Sequence, residues 1–254
     1  MTGYESAAAE PHPLAARLSA LHQFRVRVDV AVVVVVLAAT NLIAHFTTPW
    51  AGIVTVPAAA IGLLAWLRLT GLGWAELGLG REHWKSGAVY AFAAVGLVVA
   101  VIAVGVLLPL TRPMFMNNHY ATISGALLAS MIIIPLQTVI PEELAFRGVL
   151  HGALSRAWGF RGVTLAGSVL FGLWHIATSL GLTSSNVGFT RVFGGGVFGM
   201  LAGVSLAVVA TAAAGFVFSW LRQRSGSLLA PIALHWSLNG VGALAAALVW
   251  HLSG

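Results

Sequence analysis

Apolar runs long enough to cross a bilayer follow one another from Val30 to Leu252 of this chain. Hydrocarbon offers no partner to a backbone N–H or C=O, so a spanning segment must satisfy its own hydrogen bonds. Runs of about 20 apolar residues do this as helices. Spans are expected near Val30–Phe46, Ala51–Leu69, Ser86–Leu108, Ile123–Ser155, Gly162–Leu180, Val192–Leu221 and Leu228–Leu252. The count is seven, or eight. The fourth run is too long for one straight helix, and Pro135 and Pro141 predict breaks or kinks in it. The sixth is long enough to be tilted or broken. Only 8% of the 254 residues are charged and 59% are hydrophobic, where a soluble domain carries about a quarter charged. The fold class is therefore all-α: a polytopic membrane helical bundle, one transmembrane domain over residues 30–254.

Residues 1–29 are polar, carry Arg17, Arg25 and Arg27, and are expected to form a cytoplasmic arm, with no cleavable signal peptide. The segment Gly73–Lys85 alternates Trp and Leu with Glu76, Arg81, Glu82 and Lys85, which predicts a short helix lying on the membrane surface. With the N-terminus inside, the cytoplasmic side receives Arg17, Arg25, Arg27, Arg68, Arg81, Lys85, Arg156, Arg161, Arg222 and Arg224, and the outer side only Arg112 and Arg191. That asymmetry predicts N-in. The net charge of +6 is thus a topology signal and implies no nucleic-acid partner. There is no cysteine, which excludes disulfides, thiolate metal sites and a cysteine nucleophile. A chain rich in Ala, Val, Gly and Arg and lacking Cys suits the bacterial cytoplasmic membrane.

After Glu82 the chain has only two acidic residues, Glu142 and Glu143, adjacent and inside the fourth span. A carboxylate there costs several kcal/mol, so intramembrane acids mark function by default. The other intramembrane polar groups are Arg147 on the same span, His175 on the fifth, and His235 and Asn239 on the seventh. At about 1.5 Å of rise per residue, Glu142 and His175 lie roughly 20 Å from the cytoplasmic ends of their spans, and His235 and Asn239 roughly 10–16 Å. The three spans thus bring their polar groups to a similar level. Glu143 and Arg147 are i,i+4 and can pair, while Glu142 points roughly 100° away. This arrangement permits hydrolysis, with Glu142 as general base on a water, His175 orienting it, and His235 and Asn239 donating to an oxyanion. It equally permits zinc held by Glu142, His175 and His235, with an open fourth position.

Three motifs run in order: Glu142-Glu143-x-x-x-Arg147, Phe171-x-x-x-His175 and His235-x-x-x-Asn239. Together they resemble the CPBP (CaaX protease and bacteriocin-processing, or Abi) family of intramembrane proteases, over roughly residues 75–245. The resemblance implies a helical fold with a cavity open to membrane and cytosol, and peptide-bond hydrolysis by a glutamate-activated water. It implies Glu142 as catalytic base, His175 as its partner, His235 and Asn239 as oxyanion stabilisers, and Glu143 with Arg147 as a supporting pair. Zinc stays open, although the family is commonly labelled metalloprotease. The implied partners are membrane lipid and a peptide or membrane-associated protein substrate, lipidated or not.

Two other functions fit a buried glutamate pair: a cation- or proton-coupled transporter, and a non-catalytic membrane scaffold of the same fold. Against the first, there is no clear inverted repeat of broken spans. Gly195, Gly199 and Gly203 repeat every four residues and predict close helix packing, within the chain or between protomers. Trp174 and Trp236 adjoin the site histidines and read as core or cavity lining. His151 reads as cytoplasmic-side packing.

Overall fold

The structure is a computed structural model that describes residues 13–253. The described residues form an all-α bundle with no strand. Its helices are α1 (Pro13–Phe46), α2 (Ala51–Leu69), α3 (Trp84–Leu107), α4 (residues 123–158), α5 (residues 160–174), α6 (Gly196–Ser225) and α7 (Leu229–Ser253). By length and composition six stretches can cross a membrane, and one of them, Ile123–Trp174, is 52 residues long. That stretch is two helices. Gly159 takes φ 64°, ψ −163°, a conformation closed to residues with a Cβ, and the chain reverses there. The reversal brings the Trp174 indole within 3.1 Å of Glu142, 32 positions earlier. Each of the seven expected apolar runs falls on a helical stretch, and large apolar side chains such as Phe92, Leu107 and Phe198 are exposed around the bundle. The protein is an integral membrane protein.

Several expectations are corrected in detail. The first helix starts at Pro13, so it extends well back into the arm. Residues 1–12 lie outside the described residues. Pro135 does not break α4. It lies in a π-helical stretch, Ala129–Val139, where amides bond five residues back, as Ile140 does to the Pro135 carbonyl, and the Trp236 indole takes the Ser130 carbonyl that the proline nitrogen cannot serve. Pro141 occupies the opening positions of a single α-turn, Ile140–Glu143, and a second π stretch, Leu144–Leu150, follows. The sixth run does break, between a short helix Val187–Phe193 and α6, at Gly194 (φ 74°) and Gly196 (φ 79°).

Gly73–Lys85 is not a surface helix. Residues 70–80 form a turn-rich loop, followed by one 3-10 turn, Arg81–His83, that leads into α3. Leu72 and Leu77 are buried plugs in the bundle core. Three arginines from different helices grip the loop backbone. Arg68 bonds the Leu72 carbonyl, Arg156 bonds the Gly71 carbonyl at 2.8 Å, and Arg222 bonds the Ala75 and Glu76 carbonyls at 3.0 and 2.9 Å. Gly78, at φ 77°, leaves room for the Arg222 guanidinium, into which a methyl group would collide. Burial pushes the Glu76 carboxyl up, but the Gly73 amide and the Arg156 guanidinium outweigh it and hold the group below its ordinary value.

α4 is central and packs on α1, α2, α6 and α7, while α3 pairs with α7 and α5 with α6. The α5–α6 contact depends on Gly172, where a Cβ would lie 2.7 Å from the Val208 carbonyl, and on Gly215, where it would lie 3.2 Å from Phe171 and Ser168. Two members of the glycine repeat pack inside the chain, Gly203 against Thr183 and Gly199 against the Gly194 carbonyl, while a Cβ at Gly195 would meet nothing.

Candidate active site

The two glutamates share the α-turn Ile140–Glu143 between two π stretches, so each faces a different neighbour. Glu143 is fully buried. Its Oε1 accepts from the Arg147 guanidinium at 3.1 Å and lies 2.8 Å from His235 Nδ1. Arg147, also buried, donates to the Gly215 carbonyl at 3.3 Å and sits over the rings of Phe171 and Phe218, 3.9 and 4.6 Å from their centroids. A cation buried against aromatic faces recovers from their quadrupoles part of what it loses in hydration. The His235 ring stacks on Phe218 at 5.1 Å.

Glu142 points the other way. Its Oε1 accepts from Trp174 Nε1 at 3.1 Å, and its Oε2 has no hydrogen-bond partner and faces His175 Nε2 at 3.9 Å. His175 sits where α5 ends. Its own amide bonds Gly172, one residue short of the α-helical partner, which leaves the Phe171 carbonyl free. The His175 ring takes that carbonyl through Nδ1 at 2.8 Å. Since a carbonyl only accepts, Nδ1 carries a proton, and in the neutral tautomer the unprotonated Nε2 is the atom that faces Glu142.

Glu142, Glu143, Arg147, His175 and His235 therefore come together, as two pairs, Glu142 with His175 and Glu143 with His235. Asn239 does not join them. It lies in the π turn Ser237–Val241, exposed, and lines a separate cavity. The zinc set does not assemble: His235 is committed to Glu143 through Nδ1, and among the described residues no three His, Cys, Asp or Glu side chains converge as metal ligands. His151, one turn beyond Arg147, is buried among Arg222, Gln223 and Arg147 and joins neither pair.

Two cavities flank the pairs. An apolar groove of about 460 Å³ runs between α1 and α5, lined by Val34, Leu37, Phe146, Leu173 and Trp174 among others. Asn41 anchors its wall by donating to the Trp174 carbonyl at 2.9 Å. The second cavity, about 440 Å³, lies between α4 and α7 and is lined by Thr138, Asn239, Tyr120, Asn117 and Asn186 with apolar neighbours. Burial pushes the Tyr120 phenol up, so it stays a neutral hydroxyl.

Sequence reasoning missed Trp174 as a ligand of Glu142 and Phe218 and Gly215 as hosts of Arg147. An indole beside a motif histidine was the only available signal, and nothing marked the α6 pair.

Fold and site together define a polytopic helical membrane protein with a glutamate–histidine site inside the bundle. Residues 123–241, which hold every motif residue, match the family model described as type II CAAX prenyl endopeptidase, Rce1-like. That segment is similar to this family of membrane proteases, as the resemblance drawn from the three motifs expects. No curated protein and no solved structure matches the chain.

Proposed function

We propose that the protein is an intramembrane endopeptidase that hydrolyses a peptide bond of a membrane-associated or lipidated substrate with a water activated by Glu142. The observation that carries this reading is the facing pair, Glu142 Oε2 and His175 Nε2, 3.9 Å apart and both hydrogen-bond acceptors. One water placed at hydrogen-bond distance from each would be held by both of its protons, at an angle of roughly 90°, with its lone pairs directed outward. Glu142 then takes one proton as the oxygen attacks the carbonyl carbon, and returns it to the amine that leaves as the C–N bond breaks. Trp174 holds the carboxylate in place. The Asn239 amide, one turn beyond His235 at the edge of the adjoining cavity, is the candidate donor to the oxyanion, and the His235 ring joins it only as an imidazolium, since its Nδ1–H is given to Glu143. Glu143 with Arg147 fixes His235.

The apolar groove behind Trp174 supports a substrate with an apolar part, such as the lipid of a prenylated peptide, because it offers almost only hydrocarbon. The Lys and Arg asymmetry supports N-in insertion, and the composition supports a bacterial cytoplasmic membrane. Zinc bound by Glu142, His175 and His235 would require His235 to leave Glu143, so no step of this mechanism runs through a metal. The test is cleavage of a quenched farnesylated peptide by purified protein, with and without chelator. Activity indifferent to chelator and lost in Glu142→Gln and His175→Ala is expected. Wild-type rates from either variant would overturn the site, and chelator inhibition reversed by zinc would overturn the metal-free step.

A further inference from the structure

Asn41 puts an amide where the surroundings are hydrocarbon. It lies on α1, half-buried, and among the described residues it is the only amide side chain lining the groove between α1 and α5. An amide in such a place is costly unless it is hydrogen-bonded. Its Nδ2 donates to the Trp174 carbonyl at 2.9 Å, across 133 positions of sequence. Since a carbonyl only accepts, the NH2 end of the amide is the end that faces it.

The carbonyl it meets is a particular one. α5 ends at Trp174, and the carbonyls of a helix's last turn lack an amide of the same helix to accept from. Asn41 serves the carbonyl of Trp174, as the His175 ring serves that of Phe171. His175 then leaves the helical conformation, at φ −88°, ψ 2°. The peptide unit between Trp174 and His175 is planar and rigid, so a bond that pins its oxygen restrains the Cα atoms on both sides. From one side hangs the indole that bonds Glu142 Oε1 at 3.1 Å, and from the other the imidazole that faces Glu142 Oε2 across 3.9 Å. One hydrogen bond from α1 thus bears on both groups that address Glu142. An amide between membrane helices is often plain adhesive, but adhesion alone has no need of this peptide unit. α1 also lies outside residues 123–241, so this support comes from a part of the chain that the family model does not cover.

We propose that Asn41 is a positioning residue for the Glu142–His175 pair, which holds the Trp174–His175 peptide so that the indole reaches Oε1 and Nε2 keeps its place opposite Oε2. Its effect on rate rests on the proteolytic reading of Glu142. Its effect on the Trp174 indole does not.

The test compares Asn41→Leu, which is close to the amide in size and keeps the groove wall apolar, with Thr40→Val at the adjacent α1 position, where the hydroxyl bonds only its own helix at the Val36 carbonyl. Asn41→Ala is measured beside them as the variant that adds no bulk. In protein carrying isotope-labelled tryptophan in micelles, the Trp174 indole N–H resonance is assigned by its absence from Trp174→Phe. It is expected to move upfield in both Asn41 variants, as its bond to the carboxylate lengthens, and to stay in place in Thr40→Val. With a farnesylated peptide, kcat is expected to fall about threefold to tenfold in Asn41→Leu at unchanged KM, and to hold in Thr40→Val. In a Trp174→Phe background the same substitution should cost a smaller factor, because the two residues act on one support. An unmoved indole resonance, or a raised KM at constant kcat, overturns the proposal. Cleavage by wild type together with an unmoved resonance in the Asn41 variants removes the positioning role and leaves the protease reading standing. A moved resonance in a protein that cleaves no farnesylated peptide keeps the positioning role and removes that reading.

Discussion

Glu143 is fully buried, and its Oε1 meets Arg147 at 3.1 Å and His235 at 2.8 Å. Glu142, the preceding residue, receives only the Trp174 indole and leaves Oε2 facing His175 across 3.9 Å. The two carboxylates are chemically identical and one residue apart, and the helix turns them into different electrostatic surroundings. On the Glu143 face the charge is neutralised by a guanidinium that is itself clamped between aromatic rings. On the Glu142 face no guanidinium is hydrogen-bonded to the carboxylate, and the gap to His175 has room for a reactant. A protein that needs a basic carboxylate in a bilayer thus spends one glutamate on structure so that the other is held without being quenched.

The sharpest way to break this contrast is to remove the basicity of Glu142 alone. Glu142→Gln keeps the Trp174 hydrogen bond and removes the proton acceptor. Cleavage is expected to fall about 10²–10⁴-fold, with an unchanged melting temperature. A Glu143→Gln variant should show the opposite balance, with stability falling further than can be explained by any direct part in the chemistry. If the two variants behave alike in both assays, the division of labour is wrong.

The Glu143 face is tested through Arg147. Arg147→Ala strands a buried carboxylate and leaves a hole between Phe171 and Phe218. Breaking a buried pair from one side costs about 3–5 kcal/mol. Thermal or denaturant unfolding in micelles should register the loss, and an Arg147→Ala protein that melts like wild type would remove the structural role assigned to Glu143.

Much of this contrast was legible in the sequence. Charges in apolar spans announce themselves, and the i,i+4 spacing of Glu143 and Arg147 correctly pairs them. Glu142 with His175 was the expected pair, but the meeting of His235 with Glu143 was not legible. Which glutamate meets His175 and which meets His235 depends on the rotation of α5 and α7 about their axes, and the π turns in α4 and α7 shift that rotation away from ideal helical spacing. The same turns carry Asn239 out of the site that its i,i+4 relation to His235 predicts. The Gly73–Lys85 segment failed for another reason. Its Trp and Leu alternation suits a surface helix, but Gly71 and Gly78 take positive φ and Arg68, Arg156 and Arg222 satisfy its carbonyls from distant positions. Periodicity cannot see a partner 146 residues away.

Trp174 sharpens the comparison from the Glu142 side. Trp174→Phe keeps an aromatic wall on the apolar groove and deletes the indole N–H that reaches Glu142. A hydrogen bond to a charged group contributes about 1.5–3 kcal/mol, so kcat is expected to fall about tenfold or more. KM for a farnesylated peptide should hold if the groove wall matters only through its shape. A rise in KM at constant kcat would make Trp174 a contact for the substrate rather than a support for the carboxylate.

The smallest effect comes from Glu76, an acid outside the bilayer that serves as a control for the two inside. Arg156 forks onto it with both bonds at 3.0 Å, and the Gly73 amide donates to it at 2.6 Å. Its folded-state pKa is held below the ordinary 4.5. A depressed carboxyl stabilises the fold above its unfolded pKa and loses that contribution as pH falls through the folded value. The loop should therefore be insensitive to pH from neutral down to about 4.5 and loosen below it. Glu76 is half-exposed, so the pair contributes about 1 kcal/mol or less. Melting curves of wild type and Arg156→Ala should differ slightly at pH 7 and converge near pH 3, and added salt should narrow the gap at pH 7. A gap that persists at low pH would mean that Arg156 acts through the Gly71 carbonyl alone, and that the grip on this loop is a matter of backbone hydrogen bonding rather than charge.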